Sequence, residues 1–157
     1  MSASVFIPND RPEEPDPEIG NLAFFPDISL AAFRERMKVL SDLPEGRVVW
    51  QLKRAVMATN RELHDWRLAQ EAEGFLTLTD IPQEEYGDEG KLTLLYEAAV
   101  YHRAKGLLTE AGRDIDLTSE GADATDFADE AIEDHFRHVR EALAEIIGRS
   151  SVTAELF

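Results

Sequence analysis

Two histidines at helical spacing are the first residues of this sequence that could do chemistry. His135 and His138 stand three positions apart, directly after two acidic residues. On a helix this spacing puts both imidazoles on one face, as in pairs of metal ligands. A closed metal site needs a third and a fourth ligand, and the only other histidines, His64 and His102, lie in different segments. We therefore expect surface histidines in a polar stripe, and we predict no metal and no other cofactor.

Carboxylates are too numerous in this chain for any pair of them to indicate acid–base catalysis. The 157 residues include 32 aspartates and glutamates. The sequence contains no glycine-rich phosphate loop, no Gly-x-Ser-x-Gly elbow and no nucleophile beside an evident base. It also contains no cysteine, which excludes disulfides, thiolate metal sites and cysteine nucleophiles. The prediction is that the protein is not an enzyme.

Basic residues are concentrated in one part of the chain. Residues 34–61 carry seven bases and three acids, whereas the chain from residue 62 onward carries eight bases and 23 acids. Arg47, Arg54 and Arg61 recur every seven residues, so on a helix they form one stripe. Two interpretations of this stripe remain open. It pairs with acids of the same subunit, or it contacts the acidic face of a neighbouring copy, head to tail, in an assembly that can close into a ring.

Length, charge and hydropathy limit the class of protein. A chain of 157 residues is long enough to bury one hydrophobic core. Its formal net charge of −16 opposes sequence-independent binding to DNA, because such binding requires clustered lysine and arginine. The sequence has no apolar run of about 18 residues and no signal-peptide pattern at its N-terminus. We therefore expect a cytosolic protein that does not bind membranes.

Helices are the elements that must position these residues. Apolar residues recur at steps of three and four in four segments, which predicts four amphipathic helices. They cover residues 29–40, 44–74, 92–112 and 126–147. Pro44 suits the first turn of the second helix and Gly74 its C-terminal cap, and the apolar seam between them is unbroken. Strand signals are nearly absent, so we predict an all-α fold, an antiparallel helical bundle of about four helices.

Two stretches rich in acids, glycine or proline are expected to connect these helices, residues 75–90 and 113–125. Gly106 lies inside the third predicted helix, where glycine costs about 1 kcal/mol relative to alanine. We expect this glycine to mark a close crossing with another helix rather than an early end.

The two ends of the chain differ in composition from the bundle domain, which we place at residues 27–148. Residues 1–26 hold five of the seven prolines and a cluster of acids, so this arm is expected to be extended and mobile when alone. Residues 149–157 form a short C-terminal tail. Apolar residues in both end segments are candidates for contacts with partner proteins: Val5, Phe6, Ile7, Val152, Leu156 and Phe157.

Phe24 and Phe25 stand before Pro26, where the arm meets the first predicted helix. A fully buried aromatic side chain contributes roughly 1.5–3 kcal/mol of stability, so burial of these rings would anchor the entry into the bundle. Two roles remain open for the rings: they complete the core of the subunit, or they dock onto a neighbouring protein. All three residues are therefore candidate interface residues.

Several short motifs occur along the chain in a recognisable order. They are FFPDI at residues 24–28, RERM at 34–37, ATNRELHDWR at 58–67, GFLTLTDIP at 74–82 and YEAAV at 96–100. Together with the acidic, proline-rich arm, this order resembles the head completion protein (GPL) family of contractile-tailed bacteriophages. The resemblance covers about residues 22–148, and it is specific because several separated motifs keep the same order.

The resemblance implies a structural virion protein. Such a protein is added after DNA packaging, docks on the portal ring and provides the platform for tail attachment. Related connector proteins of tailed phages are helical bundles arranged in rings, commonly of twelve copies. The implied partners are the portal protein, other copies of the chain, and tail or neck proteins. The implied location is the portal vertex of the virion, after synthesis in the bacterial host cytoplasm, and no catalytic residue is carried over.

An acidic wall would let packaged DNA slide through such a ring, because carboxylates repel phosphates over a screening length of about 8 Å at physiological salt. The packaged DNA is then expected to pass nearby without specific binding. Four acids of the second connection are the candidates for facing this channel: Asp114, Asp116, Glu120 and Asp123. A solvated loop is the simpler interpretation of the same residues.

Two other classes of function remain as alternatives. An acidic DNA mimic would occupy the phosphate-binding groove of a nucleic-acid enzyme, and the net charge permits this, although the basic stripe argues against it. A small helical metalloenzyme using His135 and His138 would require bound metal in the purified protein.

Overall fold

The computed structural model of the protein describes residues 15–116 and 122–148, with the side chains of residues 15–113 and 127–148. The helices in these ranges are α1 (Leu30–Arg36), α2 (Glu45–Glu62), α3 (His64–Ala72), α4 (Lys91–Asp116) and α5 (Ala122–Ile147). Two small antiparallel strand pairs accompany them, β1 (Glu18–Ile19) with β2 (Ile28–Ser29), and β3 (Glu85–Tyr86) with β4 (Glu89–Gly90). In the described ranges, no helix has the length and apolar character needed to cross a membrane.

The central element of the fold is α4, because α2 and α5 both pack against it in the antiparallel sense. Glu62, at the end of α2, accepts a hydrogen bond from Arg103 of α4 at 2.6 Å. Glu145, near the end of α5, pairs with Lys91 at the start of α4 at 3.2 Å. The start of α2 also meets the end of α4, and the start of α5 meets the end of α4. Core side chains come from all three helices and from α1 and β2: Ile28, Phe33, Val48, Leu52, Tyr96, Val100, Val139 and Leu143.

The fold is mainly helical, as predicted, but its elements do not follow the predicted bundle of four helices. The first helix is shorter than expected, since α1 has seven residues and ends before Lys38, which takes a positive φ of 51°. The start of α1 agrees with the sequence. The Ser29 hydroxyl accepts a hydrogen bond from Ala32 N at 3.0 Å, which satisfies a free N–H group of the first turn.

The prediction of one unbroken helix over residues 44–74 is wrong. The chain leaves helical geometry at Leu63, between α2 and α3, where φ is −91° and ψ is 4°. Backbone hydrogen bonds of helical spacing continue there, since Leu63 N donates to Thr59 O and Arg67 N donates to Leu63 O. The Leu63 side chain is fully buried, so the apolar seam continues across the break and does not reveal it. The predicted cap is confirmed, because Gly74 follows α3 with a φ of 100°.

The predicted connection at residues 113–125 is also wrong, since α4 continues to Asp116 and α5 already begins at Ala122. Residues 117–121 lie outside the described residues. The connection at residues 75–90 is confirmed, and it contains a short 3₁₀ turn and the β3–β4 hairpin. The close crossing at Gly106 is confirmed as well. A Cβ atom there would lie 3.2 Å from the Phe136 ring of α5, so only glycine allows this approach without displacement of the ring.

Residues 17–29 fold back onto the helices and belong to the structured unit. Ile19 of β1 pairs with Ile28 of β2, and both side chains are buried. The composition of residues 1–26 predicts a mobile arm over this whole segment. Composition does not reveal that residues 17–29 are structured, because the apolar residues that pack here follow directly after the proline cluster.

A closed ring of hydrogen bonds joins this segment to α2 and α4. Asn21 Nδ2 donates to Tyr96 Oη at 2.8 Å, and Tyr96 Oη donates to Asn60 Oδ1 at 2.6 Å. Asn60 Nδ2 then donates to Asn21 Oδ1 at 2.8 Å. Burial raises the pKa of Tyr96 to about 12, so its hydroxyl stays protonated and can donate. The fully buried hydroxyl therefore both donates and accepts a hydrogen bond, which removes the cost of burying it.

Phe24 and Phe25 are only 3% and 4% exposed, so both rings lie in the core of the subunit. The Phe25 ring stacks on Tyr96 with 4.6 Å between centroids, and the Phe24 ring packs edge-on against Trp66 at 6.1 Å. The Phe24 carbonyl also accepts a hydrogen bond from Leu78 N at 2.8 Å. Of the two roles considered for these rings, this burial favours completion of the subunit core.

Replacement of Phe25 by alanine is expected to destabilise the isolated subunit by about 3–5 kcal/mol, because it leaves a cavity beside Tyr96. Leu76 is 74% exposed, so Leu76→Ala is the matched control, with an expected change within about 0.5 kcal/mol. Chemical denaturation of both variants and the native chain measures the two changes. An unchanged unfolding midpoint for Phe25→Ala would contradict the core role.

Two glycines of α4 offer a test of the helix crossing. Nothing lies within 4 Å of a Cβ atom built at Gly112, so alanine there is expected to raise stability by about 0.5–1 kcal/mol through helix propensity. At Gly106 the same gain is opposed by displacement of the Phe136 ring. We therefore expect Gly112→Ala to raise Tm and Gly106→Ala to leave it unchanged or lower it. An equal rise for both variants is the result that the close crossing does not allow.

Candidate functional site

The three arginines of the predicted stripe lie on the exposed face of α2. Arg47, Arg54 and Arg61 are all exposed, and two large apolar side chains stand between them along the helix. Trp50 is 62% exposed and Met57 is 68% exposed. The five positions follow steps of three and four, so they form a single row of about 21 Å. We call this row, Arg47–Trp50–Arg54–Met57–Arg61, the basic ridge.

Ion pairs elsewhere in the subunit do not involve the basic ridge. In the described part of the chain, Arg36 pairs with Glu97 at 2.7 Å and Arg103 pairs with Glu62 at 2.6 Å. No described acidic side chain comes within 4.0 Å of a ridge guanidinium. One ridge arginine instead donates to the Gln51 side chain on its own helix at 3.0 Å. Pairing within the subunit, the first interpretation of the stripe, is therefore not found among the described side chains.

Two open grooves run beside the basic ridge, where α2 meets α4. One has a volume of about 280 Å³, and Trp50 and Arg47 form its wall together with Leu108 of α4. The other has a volume of about 270 Å³ and lies between Met57 and Phe136. Both walls combine guanidinium groups with apolar side chains. This lining suits an acidic protein segment that also presents apolar side chains.

The exposed face of α5 carries a second row, of opposite charge. Phe127, Glu130, Asp134, Arg137 and Glu141 are exposed and follow the same steps of three and four. The phenylalanine is 74% exposed. Arg137 pairs with Asp134 at 3.1 Å and lies 3.9 Å from Glu141, so three carboxylates are balanced by only one guanidinium. We call this row, Phe127–Glu130–Asp134–Arg137–Glu141, the acidic ridge.

Most of the other predicted interface residues lie outside the described residues. These are Val5, Phe6, Ile7, Val152, Leu156 and Phe157. Pro26 is half-buried at the edge of the subunit core. Among the channel candidates, Asp114 and Asp116 belong to α4 and Asp123 belongs to α5, whereas Glu120 lies outside the described residues. The solvated loop considered for these four acids therefore does not hold for the three that are helical.

The apolar members of the two ridges, Trp50, Met57 and Phe127, are not among the residues predicted from the sequence. On α2, the first two lie three residues after Arg47 and Arg54, on the side opposite to the buried seam. The signal was present in the sequence. A large apolar residue out of phase with the seam of an amphipathic helix must face outward, and clusters of such residues mark interaction surfaces.

The histidine pair identified in the sequence meets a third histidine where α4 contacts α5. The Nδ1 atoms of His102 and His135 are 3.0 Å apart, so one ring donates and the other accepts a hydrogen bond. The His102 and His138 rings pack against each other at a tilt of 31°, with 4.6 Å between centroids. In the part of the chain that the structure describes, no group of histidines and carboxylates could hold a metal ion. The exposure predicted for the histidine pair holds for His138, whereas His135 is half-buried.

The environment of this cluster disfavours protonated imidazole. Burial, together with the neighbouring His138 and His135, lowers the pKa of His102 from 6.5 to about 4. Burial and Lys105 also lower the pKa of His135, and Asp134 opposes this shift only in part. Below pH 6.5 the unfolded chain takes up protons that the folded chain does not. The stability that these groups contribute is therefore complete above about pH 6.5 and is lost as the pH falls towards 4.

His102→Gln is expected to lose less stability than the native chain between about pH 7 and about pH 4.5, because the variant lacks the histidine whose pKa is most strongly lowered. His64 is exposed on α3, apart from the cluster, so His64→Gln is the control and should lose as much as the native chain. Chemical denaturation at both pH values measures the losses. Equal losses for all three proteins would refute a role of the cluster in acid sensitivity.

Comparisons with known proteins identify the family. The family model described as phage head completion protein (GPL) matches residues 19–157. The head completion/stabilization protein of Escherichia phage P2 is 34% identical over 146 residues, which cover 93% of this chain and 85% of the phage P2 protein. No solved structure matches the chain. Because the family model spans most of the chain and the phage P2 protein agrees with it, the chain belongs to the phage head completion protein (GPL) family.

Proposed function

We propose that this structural head protein is a head-to-tail adaptor. It docks on the portal ring after DNA packaging and provides the platform on which the tail attaches. Family membership supports a role in completing the phage head. The observation that carries the proposal is the basic ridge, where Trp50 and Met57 are mostly exposed between three arginines. Large apolar side chains in such a row mark a surface that another protein covers.

The two end segments are the proposed docking elements for partners other than a copy of the chain. The C-terminal tail offers Val152, Leu156 and Phe157 after α5 ends, and the arm offers the apolar patch at residues 5–7. The family match includes residues 149–157 and begins only at residue 19. This difference supports the tail as the element that meets a partner common to the family, and we assign it to the portal or to tail and neck proteins.

The proposed assembly is a ring of copies at the portal vertex of the virion, with twelve as the expected number. Acids near the α4–α5 connection, Asp114, Asp116, Glu120 and Asp123, are proposed to face the DNA channel. Their charge would keep the wall from binding phosphates, because like charges repel within the screening length of about 8 Å. The packaged DNA then passes without specific contacts.

An acidic DNA mimic is the second candidate, since the formal net charge of −16 favours it. A mimic presents carboxylates over the surface that its target enzyme contacts. The basic ridge does not fit such an acidic surface, because three guanidinium groups are exposed on α2. For this reason the adaptor role is preferred.

Mixing the purified chain with portal rings and imaging the particles by electron microscopy tests the adaptor role. We expect added density on one end of the portal ring. Leu156→Ser with Phe157→Ser is expected to weaken this binding at least about tenfold, because it removes the apolar anchors of the tail. Ser150→Ala with Ser151→Ala, in the same tail, is the control and should bind as the native chain does.

Two results would count against the adaptor role: portal rings that never bind the native chain, and DNA-filled particles that lack the protein. Competition between the chain and duplex DNA for a nucleic-acid enzyme would instead support the mimic.

A further inference from the structure

Each copy of the chain carries two exposed ridges of opposite charge on different helices. We propose that neighbouring copies join through these ridges: the basic ridge on α2 of one copy lies against the acidic ridge on α5 of the next. This contact rests on the proposed role in head assembly, and it specifies the surfaces that link the copies.

The two ridges are opposite in charge and equal in length. The basic ridge presents three guanidinium groups, and the acidic ridge presents three carboxylates and one guanidinium. Both extend over the same number of residues, from Arg47 to Arg61 and from Phe127 to Glu141, which is about 21 Å of helix. Complementary charge along this length speeds the approach of unlike ridges, and it opposes pairing of two basic or two acidic ridges.

Apolar side chains add hydrophobic burial to the attraction between the opposite charges. Trp50, Met57 and Phe127 are 62%, 68% and 74% exposed in the single subunit. Aromatic side chains and methionine, together with arginine, are enriched where protein interfaces are fully buried. When the two ridges meet, these three side chains leave water together.

Packing around α4 prevents one copy from closing this contact on itself. Asn60 of α2 and the end of α2 meet α4 at Tyr96 and Arg103, which lie seven residues apart on one side of the helix. The partners of α5 are His102 and Gly106, four residues apart on another side. Each ridge lies on the side of its helix opposite to the buried seam, and the basic ridge borders the grooves that α2 forms with α4. The contact therefore joins unlike surfaces of two copies, and repetition of it gives a ring or a chain.

The acidic ridge can exchange its present partners at little cost. Arg137 and its two partners, Asp134 and Glu141, each have side chains that are more than half exposed. Pairs exposed to this degree contribute about 0–1 kcal/mol. Replacing these pairs with contacts to arginines of a second copy therefore costs little free energy. The new contacts would lie beside apolar side chains that the interface buries.

Reversal of charge on one ridge at a time tests this contact. Arg47→Glu with Arg61→Glu makes both ridges acidic, and Glu130→Arg with Glu141→Arg makes both ridges basic. All four side chains are exposed, so the fold is expected to stay intact. Lys53→Glu with Arg140→Glu is the matched control. It changes the net charge as much as the first variant does, on the same two helices but outside both ridges.

Analytical ultracentrifugation measures the association of these proteins. The native chain is expected to associate beyond its mass of 17.6 kDa at low salt. Its dissociation constant should rise at least about tenfold between about 50 mM and about 500 mM salt. Each ridge variant alone should associate at least about tenfold more weakly than the native chain, because like charges then face each other. An equimolar mixture of the two variants should recover association, since every contact again joins opposite charges, and the control should behave as the native chain.

Several results would overturn the contact. They are a native chain that stays single at every concentration and salt, ridge variants that associate like the native chain, and a mixture that does not recover association. Retention of a duplex oligonucleotide that only Arg47→Glu with Arg61→Glu abolishes would assign the basic ridge to nucleic acid instead. Portal binding is measured separately. A chain that binds portal rings without self-association refutes this contact alone, and self-association without portal binding refutes the adaptor role alone.

Discussion

Tyr96 is fully buried in α4, and its hydroxyl is held between Asn21 of the N-terminal segment and Asn60 of α2. Its ring stacks on Phe25. One side chain therefore fixes three separate parts of the chain against each other. The closed ring of hydrogen bonds removes the cost of burying these polar groups, and the aromatic stack adds apolar contact around them. This arrangement fixes the orientation of α2 about its own axis relative to α4. It therefore also determines which face of α2 remains exposed.

The exposure of the basic ridge follows from this orientation of α2. With Val48, Leu52 and Val56 buried against the core, the row that begins with Arg47 and Trp50 has to face solvent. The same reasoning holds on the other side of α4, where burial of Val139 and Leu143 leaves the acidic ridge outside. Two helices packed on one central helix thus present opposite charges on two separate surfaces. These two surfaces are the ones that we propose to contact other copies of the chain.

Much of this fold could be predicted from the sequence, because apolar spacing reports directly on buried helix faces. The spacing predicts α4, α5 and most of α2, and the Gly74 cap and the Gly106 crossing follow from the chemistry of single residues. Apolar periodicity does not reveal the break between α2 and α3 at Leu63. The Leu63 side chain would be buried in one continuous helix, and it is also buried in the two separate helices. The β1–β2 pair could not be predicted, because this segment is held by long-range partners such as Tyr96 and Asn60 and not by local composition. The arginine stripe was found from its spacing, whereas Trp50 and Met57 were not, because an apolar residue is assigned to the core by default.

The chain belongs to a family of phage head completion proteins, and we propose that its two ridges join it to neighbouring copies. Exposed apolar side chains between arginines are tolerated in a lone subunit because the acidic net charge keeps it soluble. We propose that they are covered in an assembled head. The most direct test is a cryo-electron microscopy reconstruction of the portal vertex in DNA-filled particles. We predict a ring below the portal in which α2 of each copy lies against α5 of the next. A vertex without this protein, or a ring in which the basic ridge faces solvent, would contradict the central claim.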